Sequence, residues 1–264
     1  MSAGKTIQDR RFAVKFVTFN IRLDWEGDGE NRFENRKPLI LRTLEEERPD
    51  FVCFQEVLPH MFVWLRESLA GYDVIGCGRD PALSGEAVAI AFRRDRWSLI
   101  GMDTYWLSPT PREPGSRYPE QSDCPRVCTE ALFNELGTPR ALRVVNTHLD
   151  HRGVQARALG LAQMLRHIDA AALLPDAPVV LTGDFNAEPG SPEMRAFDDF
   201  PGYANATEDI GITYHGYMKA PGESIDYIFL RGGIACRGVR RWEHTDGPVF
   251  LSDHYPVCAE LEWV

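Results

Sequence analysis

Cysteine is scarce and scattered. The chain has six in 264 residues, at Cys53, Cys77, Cys124, Cys128, Cys236 and Cys258, and none falls into the double pair that holds zinc. Cys124 and Cys128, in CPRVC, supply at most half a metal site and read as two separate thiols near a turn. No apolar run is long enough to span a bilayer, and the opening MSAGKTIQDRR lacks an apolar core for export, so membrane insertion is not expected. Positive charge is also short: 29 Lys and Arg against 39 Asp and Glu give a formal net charge of −10. Such a chain lacks the basic excess that displaces counterions from long polyanions. A small phosphorylated partner stays open, as does one nucleic-acid site with local positive charge. No linker, low-complexity tract or short-period repeat divides the sequence. The expectation is one domain over 1–264 in the reducing cytoplasm, with 1–11 a flexible N-terminus.

The composition, 44% hydrophobic and 26% charged, is that of a chain able to bury a sizeable core. Buried strands are expected at 13–20 and 51–56, and helices at 35–50, with Pro38 near its start, and at 60–71, closed by Gly71. Residues 86–94 and 97–108 read as strands joined by a turn at Arg94–Asp95, and 126–133 and 141–150 as paired strands. Val154, Ala158, Leu161, Leu165 and Ile168 mark one face of a helix over 152–170. Further strands are expected at 177–186, 224–232 and 255–263. Between them, 109–126 is a Pro- and Gly-rich loop, long enough to suggest a role. This mixture argues an α/β protein with two packed sheets and helices outside.

A pattern recurs at the ends of these strands. FVTFN ends in Asn20, FVCFQE in Glu56, VVNTHLDH in His148 and Asp150, and VVLTGDFN in Asp184 and Asn186. SIDYIFL begins with Asp226, and FLSDHYPV turns on Asp253 and His254. One such end is an ordinary solvated cap; so many, all Asn, Asp, Glu or His, point to convergence on a site. Oxygen ligands with few thiols favour Mg²⁺, with Mn²⁺ as the alternative. Residues at i and i+2 of a strand share a face, so Asp184 and Asn186 are expected to point together while Phe185 enters the core.

The motifs TFNIR, QEV, GEAVAIAF, NTHLDH, GDFN, IDYIF and SDHYPV, in this order over residues 18 to 257, resemble the endonuclease/exonuclease/phosphatase superfamily. Its members include pancreatic deoxyribonuclease, abasic-site endonucleases, inositol-polyphosphate 5-phosphatases, sphingomyelinases and deadenylases. YWLSPTPREPGSR is most similar to small bacterial hydrolases of the group. The resemblance implies a four-layer α/β/β/α sandwich of two mixed sheets and outer helices, with the site at one end. It implies Glu56 as the principal Mg²⁺ ligand, with Asn20 and Asp253 close to the metal. Asp184 would orient or deprotonate the attacking water, and Asn186 would bind phosphate. Asp226 and His254 would form a carboxylate–histidine dyad. His148 would contact the scissile phosphate, held by Glu86, and Arg126 would neutralise charge. Both carboxylates are expected to raise the pKa of their imidazoles.

Rival readings are weaker. NTHLDH approaches a zinc-hydrolase signature, but Asn146 replaces its first histidine, which leaves Asp150 and His151 as loop or helix-cap residues. Asp24, Asp28 and Glu30 resemble a calcium loop without completing one, and the tryptophans suit core or rim. A divalent-metal-dependent phosphodiesterase or phosphatase acting on a small phosphorylated molecule is the favoured function. A nuclease or DNA-repair endonuclease is the alternative, and an acidic chain without a basic stripe disfavours it. A binding relative without catalysis has no need of two carboxylate–histidine pairs. Arg112, Arg117, Tyr118 and the nearby Trp106 are expected to form a lid over the site.

Overall fold

In the computed structural model, which describes residues 13–219 and 221–264, the first third of the chain runs β1 (Val14–Asn20), α1 (Phe33–Glu47), β2 (Phe51–Val57), α2 (Pro59–Ser68), β3 (Tyr72–Ile75) and β4 (Ala87–Arg93). Then come β5 (Trp97–Trp106), β6 (Val127–Glu135), β7 (Ala141–His148), α3 (Val154–Asp169) and β8 (Val179–Asp184). The last part holds β9 (Ala204–Asn205), β10 (Asp226–Arg231), β11 (Ile234–Arg241), β12 (Thr245–Asp246), β13 (Val249–Phe250) and β14 (Val257–Trp263). The flexible terminus expected at 1–11 lies outside the described residues.

One sheet has the order β11-β14-β1-β2-β4-β3, the other β5-β6-β7-β8-β10-β9, and β12 and β13 form a separate ribbon. Each large sheet contains one parallel pair, β1 with β2 and β7 with β8, and each pair is joined through a helix, α1 or α3. The other pairings are antiparallel, so both sheets are mixed.

Strand alternation sets the layers. Along β1, Phe16 faces the other sheet and packs with Phe51, Phe133, Val144 and Val180. Val17 and Phe19 point the other way, into a layer with Leu39, Ile40 and Leu44 of α1. On the second sheet, Val180, Ile228 and Leu230 face inward, while Val145, Leu181 and Phe229 pack against Leu161, Met164 and Leu165 of α3. The result is α1 and α2, sheet, sheet, α3: the expected four-layer sandwich. Among the described residues, no helix is long and apolar enough to cross a membrane.

Several expectations shift by a turn or a strand. Helix α1 begins at Phe33, so Pro38 lies in its second turn, where its missing N–H forfeits one bond without ending the helix. The buried face of α3 begins at Ala156; Val154 is exposed at the first turn. β3 escapes sequence reading because it is an edge strand of only four residues, and arginine-rich β11 because it is an edge strand with little apolar alternation.

A buried polar bridge ties the sheets together beneath one end of the sandwich. Gln55 of β2 donates through Nε2 to Asn146 Oδ1 at 2.7 Å and to Thr18 at 3.2 Å, and Asn146 donates to the carbonyls of Phe54 and Ala89, each at 2.9 Å. Fully buried Arg36 donates to the carbonyls of Ile21, Arg22, Asn31 and Leu251, fastening the two loops beside this end. These bonds satisfy polar groups that would be expensive to bury alone.

Candidate active site

Inward-facing positions of the strands run out at the same end. On β1 the series Phe16, Thr18, Asn20 ends in a carboxamide; on β8 the series Val180, Thr182, Asp184 ends in a carboxylate. The two meet across the sheets, with Asn20 Nδ2 donating to Asp184 Oδ2 at 2.9 Å. Register then sets the neighbours of Asp184 within its own sheet: His148 of β7 on one side, Asp226 of β10 on the other. Gly183 is required in this strand. Its φ is +143°, and a Cβ there would lie 1.9 Å from the Thr147 carbonyl oxygen.

Three site residues outside the glycines adopt left-handed backbone: Arg22 (φ 57°), Glu56 (φ 63°) and Asn186 (φ 49°). Strain of this kind tends to gather where side chains must be aimed for function. Alternation along β2 assigns the inward position to Gln55, so Glu56 should face the helices. A register shift against β4 between Phe54 and Val57, with the positive φ, redirects it to the sheet end.

Distances sort the side chains into two groups. His254 Nδ1 bonds Asp226 Oδ2 at 2.8 Å, and His254 Nε2 lies 3.8 Å from Asp184 Oδ2. His148 Nε2 approaches the same Asp184 oxygen at 3.5 Å. Asp184, Asp226 and His254 bring ligand atoms within 4.8 Å of one another. The short bond inside this trio makes Asp226 and His254 a charge-paired dyad beside a second carboxylate, Asp184. Burial and the charge of Asp226 push the Asp184 carboxyl up to about 7. Burial alone would lower His254; Asp226, Asp184 and Asp253 outweigh it and push it up to about 10.

His148 behaves in the opposite way. Burial, with Arg126 and Arg79, holds its pKa well below the ordinary imidazole value. The expected pairing with Glu86 is not formed, because Glu86 is gripped by both terminal nitrogens of Arg79 at 2.7 and 2.8 Å. Arg79 sits in the 76–86 loop, seven residues before Glu86, and a bidentate fork outcompetes a neutral imidazole for a carboxylate. Among the described residues, His148 Nδ1 has no hydrogen-bond partner.

Other contacts refine or correct the expectations. Asn20 donates its amide to Glu56 (3.1 Å) and Asp184 (2.9 Å), and its oxygen accepts the Arg22 N–H at 3.0 Å. Asn186 leaves the strand after Asp184, so shared strand face does not join the pair; a turn does, with Asn186 N donating to Asp184 Oδ1 at 2.9 Å. Asp150 keeps its expected loop or cap role: it accepts from the N–H groups of Arg152 and Gly153 before α3 and from the Ser122 hydroxyl and N–H, and these donors overcome burial to hold its carboxyl down to about 2. His151, read as a loop or cap residue, lines the cleft and accepts from Arg126 Nη2 at 3.0 Å. The lid is absent from the cleft wall: Arg112 bonds Asp103, Arg117 bonds Asp123 and Tyr118 bonds Gln163, while Trp106 donates to the Arg79 carbonyl.

The cleft has a volume of ≈ 500 Å³ and includes Glu56, Glu86, Arg126, His148, Asp184, Asn186, Asp253 and His254. Asn20 and Asp226 stand buried behind that wall. Sequence reasoning missed Arg22, Arg79 and Tyr214, which also line it. Arg22 was visible as the last letter of TFNIR, and Arg79 as the cation of a glycine-rich loop before GEAVAIAF. A larger hollow of ≈ 650 Å³ along the β3 and β5 edges carries none of this chemistry.

Glu56 and Asp253 fit a hard divalent ion. Both carboxylates face the cleft with Arg22 already drawn to them, 3.9 Å from Glu56 Oε2 and 3.5 Å from Asp253 Oδ2. Burial would raise the Glu56 carboxyl, but Arg22, the Leu23 N–H, His254 and Asn20 prevail and keep it below the usual range, in its ligating form.

Residues 17–254 match the model of the Endonuclease/Exonuclease/phosphatase family. Protein angel homolog 2 of Danio rerio is 32% identical over 188 residues, covering 67% of this chain but only 30% of that protein. The chain therefore spans less than a third of that relative. An uncharacterized protein, L388, of Acanthamoeba polyphaga mimivirus is 27% identical over 255 residues, covering 88% of this chain and 92% of its own length. An endonuclease/exonuclease/phosphatase structure from Bacteroides vulgatus superposes with a TM-score of 0.89 at 30% identity, covering 96% of this chain and 99% of the other. A mannosyl-6-phosphatase of Bacteroides thetaiotaomicron has a TM-score of 0.84 at 24% identity, covering 95% and 100%, a likeness of fold. The chain belongs to the endonuclease/exonuclease/phosphatase family of phosphoester hydrolases.

Proposed function

We propose that this protein hydrolyses a phosphate ester of a small molecule with the help of Mg²⁺ or Mn²⁺ at Glu56 and Asp253. The observation that carries this reading is the position of Asp184, a carboxylate between His148 and the Asp226–His254 dyad in one cleft. The ion, when bound, would neutralise phosphate charge and make bound water more acidic. Asp184, with its pKa pushed up to about 7, is matched to accepting a proton from the attacking water near neutral pH. His254, kept charged by Asp226, would stabilise the negative charge that develops on phosphate oxygens. Arg126 adds a buried guanidinium whose Nη1 has no hydrogen-bond partner among the described residues. Asn186 uses one amide hydrogen on the Leu149 carbonyl at 3.0 Å, leaving the other for a phosphoryl oxygen.

A small substrate is favoured because the net charge of −10 repels long polyanions, while these cations are confined to one cleft. The fold also carries a mannosyl-6-phosphatase, so it accommodates a small phosphomonoester. We take 1–264 as one functional unit because both sheets build the cleft, and the free cysteines suit the reducing cytoplasm. The test is a panel of phosphomonoesters, phosphodiesters, nucleotides and abasic duplex DNA with Mg²⁺, Mn²⁺ or EDTA. Metal-dependent turnover of a small ester supports the proposal. Full activity after metal stripping refutes the mechanism, and at least tenfold better cleavage of abasic duplex would replace the substrate reading with a nuclease.

A further inference from the structure

Beneath the cleft lies a second, much smaller cavity of ≈ 10 Å³, about the space one water molecule needs. Apolar walls come from Val88 and Val127, which cluster with Trp106. Its polar lining includes Glu86, Arg126 and His148. Arg126 spends Nη2 on His151 at 3.0 Å and turns Nε toward Asp150 Oδ1 at 3.6 Å, while Nη1, like His148 Nδ1, has no hydrogen-bond partner among the described residues. Each oxygen of Glu86 accepts one Arg79 N–H, at 2.7 and 2.8 Å, and keeps a further lone pair. Unmet polar groups of this kind around a one-water space form a hydration site.

We propose that a single internal water links Arg126, Glu86 and His148, and that this water fixes the tautomer of His148. One water can serve all three side chains. Arg126 donates an N–H to the water oxygen. The water donates one hydrogen to His148 Nδ1 and the other to a Glu86 oxygen. His148 Nε2 then carries the ring proton and presents it toward Asp184, whose oxygen is 3.5 Å away. The lowered pKa of His148 agrees with a ring bearing one proton. Glu86, locked by Arg79, thus acts as a positioning residue for His148 through the water. The hydration site stands on the geometry; its effect on rate rests on the phosphoester reading.

Two measurements on the full chain test this. A crystal structure resolving ordered solvent should contain one water within hydrogen-bond distance of His148 Nδ1, Glu86 and an Arg126 nitrogen. A dry cavity, or direct contact between Glu86 and His148, overturns the proposal. In ¹⁵N NMR at pH 8, with His148 assigned through its loss in His148→Gln, Nε2 should be protonated and Nδ1 bare. A protonated Nδ1 overturns it. Glu86→Gln should mix the His148 tautomers and lower kcat about tenfold with KM within about twofold, as loss of an orienting partner does. An unchanged tautomer in a folded Glu86→Gln refutes the positioning role, and should that variant not fold, the wild-type density and shifts still decide. Failure of the phosphoester assay alone would leave both wild-type readouts unaffected.

Discussion

His148 and His254 approach the same oxygen of Asp184, at 3.5 and 3.8 Å, yet their environments drive them to opposite charge states. His254 backs onto Asp226, and the surrounding carboxylates raise its pKa to about 10. His148 backs onto Arg126 and Arg79, which together with burial hold its pKa well below the ordinary value. Charge behind the ring, more than the ring itself, decides what each histidine offers the cleft. One supplies a positive charge; the other supplies a neutral N–H donor. The expectation that both imidazoles are raised by a carboxylate holds for His254 and fails for His148, where Arg79 has captured Glu86.

The largest effect should come from removing what the histidines share. Asp184→Asn should lower kcat/KM by about 10³-fold, since it abolishes the proton acceptor without changing size. Glu56→Gln should cost about 10²-fold or more and weaken the response to added Mg²⁺. Initial rates at saturating and limiting metal measure both. A variant within tenfold of wild type removes its residue from the mechanism.

The histidines themselves separate by pH. The kcat/KM profile should rise as Asp184, its pKa raised by burial and Asp226, loses its proton, and fall as His254, its pKa raised by the surrounding carboxylates, loses its own. His148→Gln should lower the plateau about tenfold and leave both limbs in place. A displaced limb would show that His148 carries charge after all. Asp226→Asn should move the alkaline limb to lower pH, since it removes the main carboxylate support of His254.

Stability gives a smaller contrast. The folded pKa of His254 is raised, so its contribution is complete below the unfolded value of about 6.5 and is lost as pH rises through the folded one. Asp226→Asn should therefore destabilise by about 2 kcal/mol at pH 6, with the deficit shrinking toward pH 10, in denaturant titrations. An equal deficit at both pH values would mean that Asp226 acts without regard to the charge of His254. Smallest of all is salt: raising ionic strength should change kcat/KM for a small phosphoester by less than about threefold. A steep salt dependence would mark a polyanion as the substrate.

Most strand-end residues were legible because apolar alternation identified the strands and their last inward positions. Asn20, His148, Asp184 and Asp226 follow from that rule. Glu56 does not, since a register shift and a positive φ aim it. The partner of Glu86 was hidden because Arg79 reaches it across a loop, where strand periodicity carries no information. His151 looked like a cap residue, and only the path of the chain beside Arg126 brings it to the cleft.

The contrast between the histidines can be measured without knowing the substrate. In an NMR titration of the metal-free protein from pH 5 to 10.5, His254 should stay doubly protonated until about 10, while His148 should already be neutral at the ordinary histidine value and at every pH above it. Two rings titrating together near 6.5, the ordinary histidine value, would contradict the account.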